Sequence, residues 1–273
     1  MLNYLSYIPL VYACIAPHAG DLIDDLTKIE LTRQTMLAMG EHLQALAPEI
    51  SVIINPHGFR VQEALSISVA ERAVADWSPD VKIDFEMDSD LAHDIADEAT
   101  TSNVPVVRYI YDASGGDSCY IPLDWGAVVP LCFMGHRFIP KPKLVHCSPM
   151  RTLSLDTHYE FGRAIGHVLK ESDKRIAFIA SADQGHAHDA NGPYGFDPAS
   201  AKYDAWMQEV IHNGNLDELL NADMDLVEDG KPDSLWPSVV LAGILKENPM
   251  QAKFLSYEVN VYFGILCAEF TKE

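Results

Sequence analysis

Short apolar runs rich in valine, isoleucine and phenylalanine recur along the chain, and they predict its strands. Hydrophobicity within each run is continuous rather than alternating, which is typical of strands that are covered on both faces. The runs are PLVYACIA (9–16), ISVIIN (50–55), PVVRYIY (105–111), AVVPLCFM (127–134), KLVHCS (143–148) and RIAFIASA (175–182).

Between several of these runs, apolar residues recur three and four positions apart and predict amphipathic helices. The helical segments span 22–46, 89–101, 157–171 and 199–212, and Asn213-Gly214 is the predicted stop after the last of them. Strands that alternate with helices predict an α/β fold, with a central, largely parallel or mixed β-sheet flanked by helices on both faces. Because no repeat, low-complexity tract or Pro/Ser-rich linker interrupts the pattern, we expect a single domain over residues 1–273.

The charge balance limits the partners of this chain. It carries 19 basic and 40 acidic side chains, a formal charge of -21. Nucleic acids and anionic membranes attract clustered Lys and Arg, so we expect neither as a partner, whereas a small organic molecule remains compatible. Acidic runs such as 84–97 and 217–233 are interpreted as solvated helix faces and loops.

The cysteines and the first residues of the chain indicate the cellular compartment in which the protein is expected to work. The 5 cysteines are widely spaced, which favours neither a disulfide framework nor a CxxC zinc site. The opening MLNYLSYIPLVYACIAPHAG lacks a basic start and an Ala-x-Ala-like cleavage site, and no run reaches about 18 uninterrupted apolar residues. We therefore predict a cytoplasmic protein without a secretion signal or a membrane span.

Three of the predicted strands end in turns that carry histidine. The first runs into Pro17-His18-Ala19-Gly20, the second into Pro56-His57-Gly58, and the last into DQGHAH (183–188), which contains His186 and His188. Proline stops a strand and glycine lets the backbone turn sharply. Since ligands of open α/β sheets bind beyond the carboxyl ends of the strands, these turns predict one shared pocket.

Imidazole is the commonest metal ligand in proteins, and both Pro-His turns would present it in the same way, so a divalent metal at His18 and His57 is the leading hypothesis. A third ligand is needed, and zinc or iron would accept a carboxylate or another histidine. Glu258 is the candidate, because it lies in LSYEVNVYFG (255–264), a segment patterned for burial. The alternatives are hydrogen-bonded turn histidines and a Glu on the polar face of an alternating strand.

Five segments of the chain form a characteristic series: APHAG (16–20), NPHG (55–58), DWGAVVPL (124–131), SADQGHAHDANGPYGFDPASAKYD (181–204) and SYEVNVYFG (256–264). In order and spacing they resemble the class III extradiol ring-cleavage dioxygenases of the LigB type. The longest and most specific match is GHAHD-x-x-GPYGFDP, whereas PHG alone is a weak signal. The resemblance implies a catalytic domain with its active site at the carboxyl ends of the strands.

The family holds non-haem Fe(II) with two histidines and one carboxylate, and His18, His57 and Glu258 occupy the matching positions. Zinc or manganese as the bound or substituted metal is a further possibility. Such a triad leaves three coordination positions open, enough for the ortho substituents of a catechol-like or aminophenol-like ring and for dioxygen, whose two atoms would both be inserted. His186 matches the histidine that the family uses as acid and base.

The resemblance also suggests residues that contact the substrate. Trp125 in the DWG segment suits stacking against an aromatic ring, although a core tryptophan is the alternative. Tyr194 in GPYG is similarly placed. His188 is a residue that supports the site from behind, a substrate contact or a surface turn residue. Lys202, near the end of the segment 181–204, is the single basic residue in the matching segments, which favours a neutral or remotely anchored ring.

The implied partners are a small aromatic substrate and dioxygen. We expect a homo-oligomer, and a small partner subunit, as some relatives have, stays open. Two other functions are compatible with the pattern: a Memo-like, non-catalytic binding protein on the same scaffold, and a zinc-dependent hydrolase that uses the same three ligands. Glu258 and His186 count against the first, and the long GPYGFDP match argues against the second.

Overall fold

The structure, a computed structural model, describes residues 9–116 and 118–272. The strands within these residues are β1 (Leu10–Ala16), β2 (Ile50–Ile54), β3 (Leu65–Ser68), β4 (Arg72–Ser78), β5 (Val81–Glu86), β6 (Val106–Tyr109), β7 (Tyr111–Asp112), β8 (Cys119–Pro122), β9 (Lys143–Ser148), β10 (Ile176–Ser181), β11 (Gln251–Asn260) and β12 (Phe263–Thr271). The helices are α1 (Asp21–Asp24), α2 (Glu30–Ala45), α3 (Ser89–Thr101), α4 (Trp125–Phe133), α5 (Leu155–Glu171), α6 (Pro198–Asn213), α7 (Met224–Gly230) and α8 (Leu235–Glu247), with a 3₁₀ helix at Leu216–Asn221.

The central sheet is mixed, in the order β11-β12-β1-β10-β2-β9-β3-β6. Its middle strands β1, β10, β2 and β9 run parallel to their neighbours within this group. The pairings of β12 with β1 and of β3 with β9 are antiparallel. A smaller sheet has the order β5-β4-β8-β7. The α/β class that the sequence predicts is therefore confirmed.

Both faces of the central sheet are buried, and β10 shows how. Ile176, Phe178 and Ala180 lie in a core with α3, α5, α6 and α8, whereas Ala177 and Ile179 lie in a second core with α2, α4 and the smaller sheet. Every residue of β10 is buried. A strand whose alternate residues enter two cores must be apolar throughout, which is why its hydrophobicity is continuous.

The run 127–134 lies in α4, so the strand predicted there is wrong. Asp124 caps this helix by accepting a hydrogen bond from the Gly126 backbone N–H at 2.9 Å, and residues 126–131 are all buried. A short apolar run that is buried all round has no periodicity that separates a helix from a strand.

Other predicted boundaries also shift. The stretch DASGGDSCYIPLDWG (112–126) contains a Gly-Gly turn, and its sequence predicts a long ordered loop. The structure places β8 within it, and residue 117 lies outside the described residues. The predicted helix 22–46 is divided into α1 and α2, whereas Gly214 ends α6 in the left-handed region (φ 67°), as its sequence signal indicates. Among the described residues, none of the helices is long and apolar enough to cross a membrane.

Helices α5 and α8 pack closely at glycines. A Cβ on Gly162 would lie 2.0 Å from the Val240 carbonyl oxygen, too close for either backbone to stay in place. We expect Gly162→Ala to lower the free energy of unfolding by about 1–3 kcal/mol in urea denaturation, the usual cost of overpacking. Gly115→Ala is the control, because its nearest contact would be 3.5 Å away. Equal losses in both variants would contradict this account.

Candidate metal centre and active site

The three strands that carry the candidate histidines are neighbours in the sheet. β10 lies between β1 and β2 and is parallel to both, so the turns after these strands meet at one edge. His18 follows β1, His57 follows β2 and His186 follows β10. The structure therefore brings the three histidines into one region.

His18, His57 and Asp233 form a compact group, which we call the His-His-Asp cluster. The Nε2 atoms of the two histidines lie 3.0 Å apart. Oδ2 of Asp233 lies 3.2 Å from Nε2 of His18 and 3.3 Å from Nε2 of His57. His18 and Asp233 are each only 2% exposed. Three ligand atoms therefore converge on one point at the base of the strand-end crevice.

The hydrogen bonds of His18 fix its tautomer. Ser181 Oγ donates its single proton to the Gly126 carbonyl oxygen and lies 3.0 Å from Nδ1 of His18. Because that hydroxyl has no second proton, it accepts from an Nδ1–H. The lone pair of a neutral His18 is then on Nε2 and faces the cluster, as in metal-binding histidines whose other nitrogen is held by a hydrogen bond.

The cluster has a strongly negative potential. Burial alone would lower the pKa of His18, but the charges of Asp183 and Asp233 outweigh it and raise that pKa to about 9. Burial raises the pKa of Asp183 to about 7, with Asp233 adding to the rise and His18 opposing it. Burial also acts to raise the pKa of Asp233, yet its contacts with His18 and His57 hold it well below the usual range. A potential that favours a proton here also favours a cation in its place.

The residues present fit a divalent metal ion. Two ligand atoms each about 2.1 Å from a cation and at right angles around it lie about 3.0 Å apart, close to the spacings within the cluster. Oδ2 of Asp233 is buried, and within the described residues no side chain or backbone group donates a well-aligned hydrogen bond to it. Two imidazoles and one carboxylate are the ligand set of non-haem iron sites, and zinc accepts it too.

Asp233 comes from the turn between α7 and α8, which packs directly against the segment that follows β10. Its Oδ1 accepts from the Asp183 backbone N–H at 2.8 Å, and the Ser234 N–H donates back to the Asp183 carbonyl at 3.0 Å. Interpreting the acidic run 217–233 as solvated is therefore wrong at its last residue. The available signal, an Asp-Ser pair before an apolar segment, resembles an ordinary helix start and does not indicate a ligand.

Glu258 lies outside the cluster. It is on β11, and its Oε2 accepts hydrogen bonds from the Thr32 backbone N–H at 2.7 Å and from the Thr32 hydroxyl at 2.6 Å. Thr32 lies in the first turn of α2, so the carboxylate satisfies an N–H group that has no partner within the helix. The structure thus places Asp233, and not the predicted Glu258, beside the two histidines.

Replacing Glu258 tests this placement. We expect Glu258→Ala to lower the free energy of unfolding by about 0.5–2 kcal/mol, because α2 loses a capping acceptor, and to leave bound metal per chain unchanged. Denaturation followed by circular dichroism and metal analysis of the dialysed protein measure the two effects. Glu209→Ala, at an exposed position of α6, is the matched control. Loss of metal from the Glu258 variant alone would return Glu258 to the ligand set.

His186 lies beside the cluster. Its Nε2 is 3.9 Å from Oδ2 of Asp233, and its ring stacks on Phe263 with centroids 5.3 Å apart. Burial lowers the pKa of His186, with Asp233 opposing the shift. The neutral ring, which can accept a proton, is therefore the favoured form near neutral pH.

Of the cavities that border the cluster, two are lined by His186 as well as by His57. The first, of about 310 Å³, we call the Arg151 cavity, and its lining includes His57, Arg151, His186, Tyr194, Asp233 and Trp236. The second, of about 380 Å³, is lined by residues that include His18, Asp24, His57, Trp125, His186 and Tyr262. His57 and Asp233 of the cluster line the first cavity, and His18 and His57 line the second.

The three residues that the sequence predicts as substrate contacts, Trp125, Tyr194 and His188, lie in different surroundings. Trp125 lies over His57 with ring centroids 4.4 Å apart, and Tyr194 is 6.0 Å from His186. Both line a cavity at the cluster. His188 lines neither cavity; its Nε2 is 2.8 Å from Oδ2 of the buried Asp204, an interaction that anchors the loop carrying His186.

Two residues that sequence reasoning missed line the Arg151 cavity. Arg151 follows β9, and Trp236 lies in the first turn of α8. Neither residue belongs to a motif quoted above. Only the parallel arrangement of β9 beside β2 brings Arg151 to the same edge as His57. No local pattern around Arg151 distinguishes it from an ordinary turn residue.

Comparison with known proteins agrees with this architecture. The chain is 26% identical over 248 residues to protein CA_C1420 of Clostridium acetobutylicum, in an alignment that covers 89% of this chain and 53% of that protein. This chain thus spans about half the length of that relative. The crystal structure of an uncharacterized protein, JW3007, from Escherichia coli K12 has the same fold, with a TM-score of 0.64 and 14% identity over 95% of this chain and 99% of that one.

A family model matches residues 2–265, nearly the whole chain. That family is described as the catalytic LigB subunit of aromatic ring-opening dioxygenase. The match includes every residue of the His-His-Asp cluster, together with His186. This chain therefore belongs to the LigB family.

Proposed function

We propose that this chain is a non-haem Fe(II)-dependent extradiol dioxygenase that cleaves a catechol-like or aminophenol-like ring next to its ortho substituents. The observation that carries the proposal is the His-His-Asp cluster. Three ligand atoms converge at separations of 3.0–3.3 Å, and the buried carboxylate oxygen among them has no well-aligned hydrogen-bond donor within the described residues. The proposed ligands are therefore His18, His57 and Asp233, with Asp233 in place of Glu258.

Iron in this position would hold the ortho pair of the ring next to dioxygen and supply the redox chemistry of ring opening. Hydrogen bonds from other residues of the chain hold the side chains of the proposed metal ligands in position. Ser181 orients the His18 ring, and the backbone N–H of Asp183 orients the Asp233 carboxylate. Such supporting hydrogen bonds keep ligand atoms in position before substrate arrives.

The position of His186 beside the cluster and its lowered pKa support a role as the general base. Its pKa is lowered by burial, so a neutral ring faces the cavities beside the cluster. It would take a proton from the second hydroxyl or amino substituent of the ring and return a proton later in the cycle. Stacking on Phe263 and the loop anchor at His188 hold the imidazole at this place.

Aromatic side chains complete the substrate position. Trp125 and Tyr194 are 45% and 57% exposed, far more than core aromatics, and both face the cluster. Exposed rings at a cavity mouth are available to stack against an incoming aromatic ring. Their placement supports a planar substrate between the cluster and solvent.

Oxygen uptake tests the proposal directly. We expect anaerobically purified protein, reconstituted with Fe(II), to consume one dioxygen per ring with at least one catechol or aminophenol of a panel and to form a yellow ring-opened product. Protein loaded with Zn(II) is the control and should consume none. Stoichiometric iron without uptake on any ring would overturn the proposal, and hydrolysis by the zinc form would favour a hydrolase.

A further inference from the structure

Arg151 faces the cavity that also contains the proposed metal ligands His57 and Asp233. Its guanidinium carbon lies 4.9 Å from the centroid of the Trp236 ring, and Trp236 is itself only 6% exposed. Within residues 9–116 and 118–272, no carboxylate lies within ion-pair distance of Arg151 and no acceptor takes a hydrogen bond from it. The donors of this side chain are therefore available to a ligand.

The availability of Arg151 is notable in a chain with 19 basic and 40 acidic side chains. The other basic groups nearby are engaged. Lys231 pairs with Glu228 at 2.9 Å, and Arg60 donates to the Pro56 carbonyl oxygen at 2.9 Å. Arg151 is an exposed residue that lies beside these groups, and it has no acceptor among the described residues.

The contact with the Trp236 ring stabilises the Arg151 side chain and uses none of its N–H groups. A guanidinium over an indole face gains a cation–π interaction, which leaves its N–H groups directed sideways. The planar fork of Arg matches the two oxygens of a carboxylate better than a Lys ammonium does. Arg151 therefore has the chemistry of a carboxylate anchor.

We propose that Arg151 binds a carboxylate substituent on the aromatic ring while the ortho pair of that ring faces the His-His-Asp cluster. This inference rests on the proposed function and narrows its substrate class to aromatic acids. One cavity of about 310 Å³ contains both groups, so a single small molecule can reach the cluster and the guanidinium together. A ring that lacks an anion leaves Arg151 without a partner.

Binding to the Zn(II)-loaded protein, measured by titration calorimetry, tests this without requiring turnover. The probes are two acids, 3,4-dihydroxybenzoate and 3,4-dihydroxyphenylacetate, each compared with its neutral amide. We expect at least one acid to bind about 10-fold more tightly than its amide, the scale of one charge-assisted hydrogen bond. Arg151→Met should remove that preference, because the affinity for the acid should fall to about that of the amide, whereas Arg151→Lys should keep part of it. Arg108→Met, at an exposed arginine of β6, is the control for the lost charge.

The outcomes separate this inference from the function on which it depends. Equal affinity for acids and amides in the wild-type protein would overturn the anchor, as would a preference that survives Arg151→Met. If the iron form still opens a ring in either case, the proposed function stands. Failure of the metal-loaded protein to bind any of the four probes would instead count against the proposed function, and the anchor would fall with it. Should Arg151→Met not fold, Arg151→Gln replaces it.

Discussion

Asp233→Asn is expected to weaken metal binding by a factor on the order of 100 or more. The substitution keeps the shape of the side chain and the Oδ1 acceptor for the Asp183 N–H, so the turn before α8 should stay in place. It removes the negative charge on the buried Oδ2 that lies 3.2 Å and 3.3 Å from the two imidazoles. Replacing groups that only support a ligand already costs about 10- to 100-fold in metal affinity, and a ligand should cost at least as much.

Anaerobic competition with a chromophoric chelator measures this affinity for Fe(II), and Co(II) spectra report the change in coordination. Asp189→Asn is the matched control, because this half-buried aspartate lies on the loop that carries His186 and, within the described residues, its side chain accepts hydrogen bonds only from Asn191. Full metal affinity in Asp233→Asn, together with an unchanged Co(II) spectrum, would remove Asp233 from the ligand set.

His186→Gln is expected to keep its metal and to lose turnover by a factor on the order of 100 to 10,000, the usual contribution of general acid–base catalysis. The Nε2 of His186 lies 3.9 Å from Asp233 Oδ2, farther than the two histidines of the cluster. This distance supports a role in proton transfer rather than coordination. Glutamine keeps a polar side chain but cannot accept and return a proton.

Single-turnover measurements under oxygen, with a substrate found in the uptake panel, would separate binding from chemistry. Substrate affinity should change little while the rate of ring opening falls. His93→Gln, at an exposed position of α3, controls for loss of an imidazole. Loss of iron in His186→Gln would make His186 a ligand, and unchanged turnover would exclude it as the base.

The local sequence pattern was sufficient to predict the main strands of the sheet and the histidines at their ends. Continuous apolar runs predict β1, β2, β9 and β10 because strands buried on both faces need apolar residues at every position. The same reasoning failed for α4, since a run that is buried all round looks alike as a helix or a strand. The Pro-His turns were visible because proline and glycine mark where a strand ends.

The sequence by itself thus determined the α/β class, the strand-end turns of His18, His57 and His186, and the family resemblance. Only the tertiary structure decided which carboxylate lies beside both histidines and which cations line the cavity. Asp233 lies far along the chain from both histidines and reaches them through backbone pairing with Asp183, whereas Glu258 is turned toward Thr32. A charged side chain acquires its role from the partners that the fold places beside it, and those long-range partners leave no periodic signal in the local sequence.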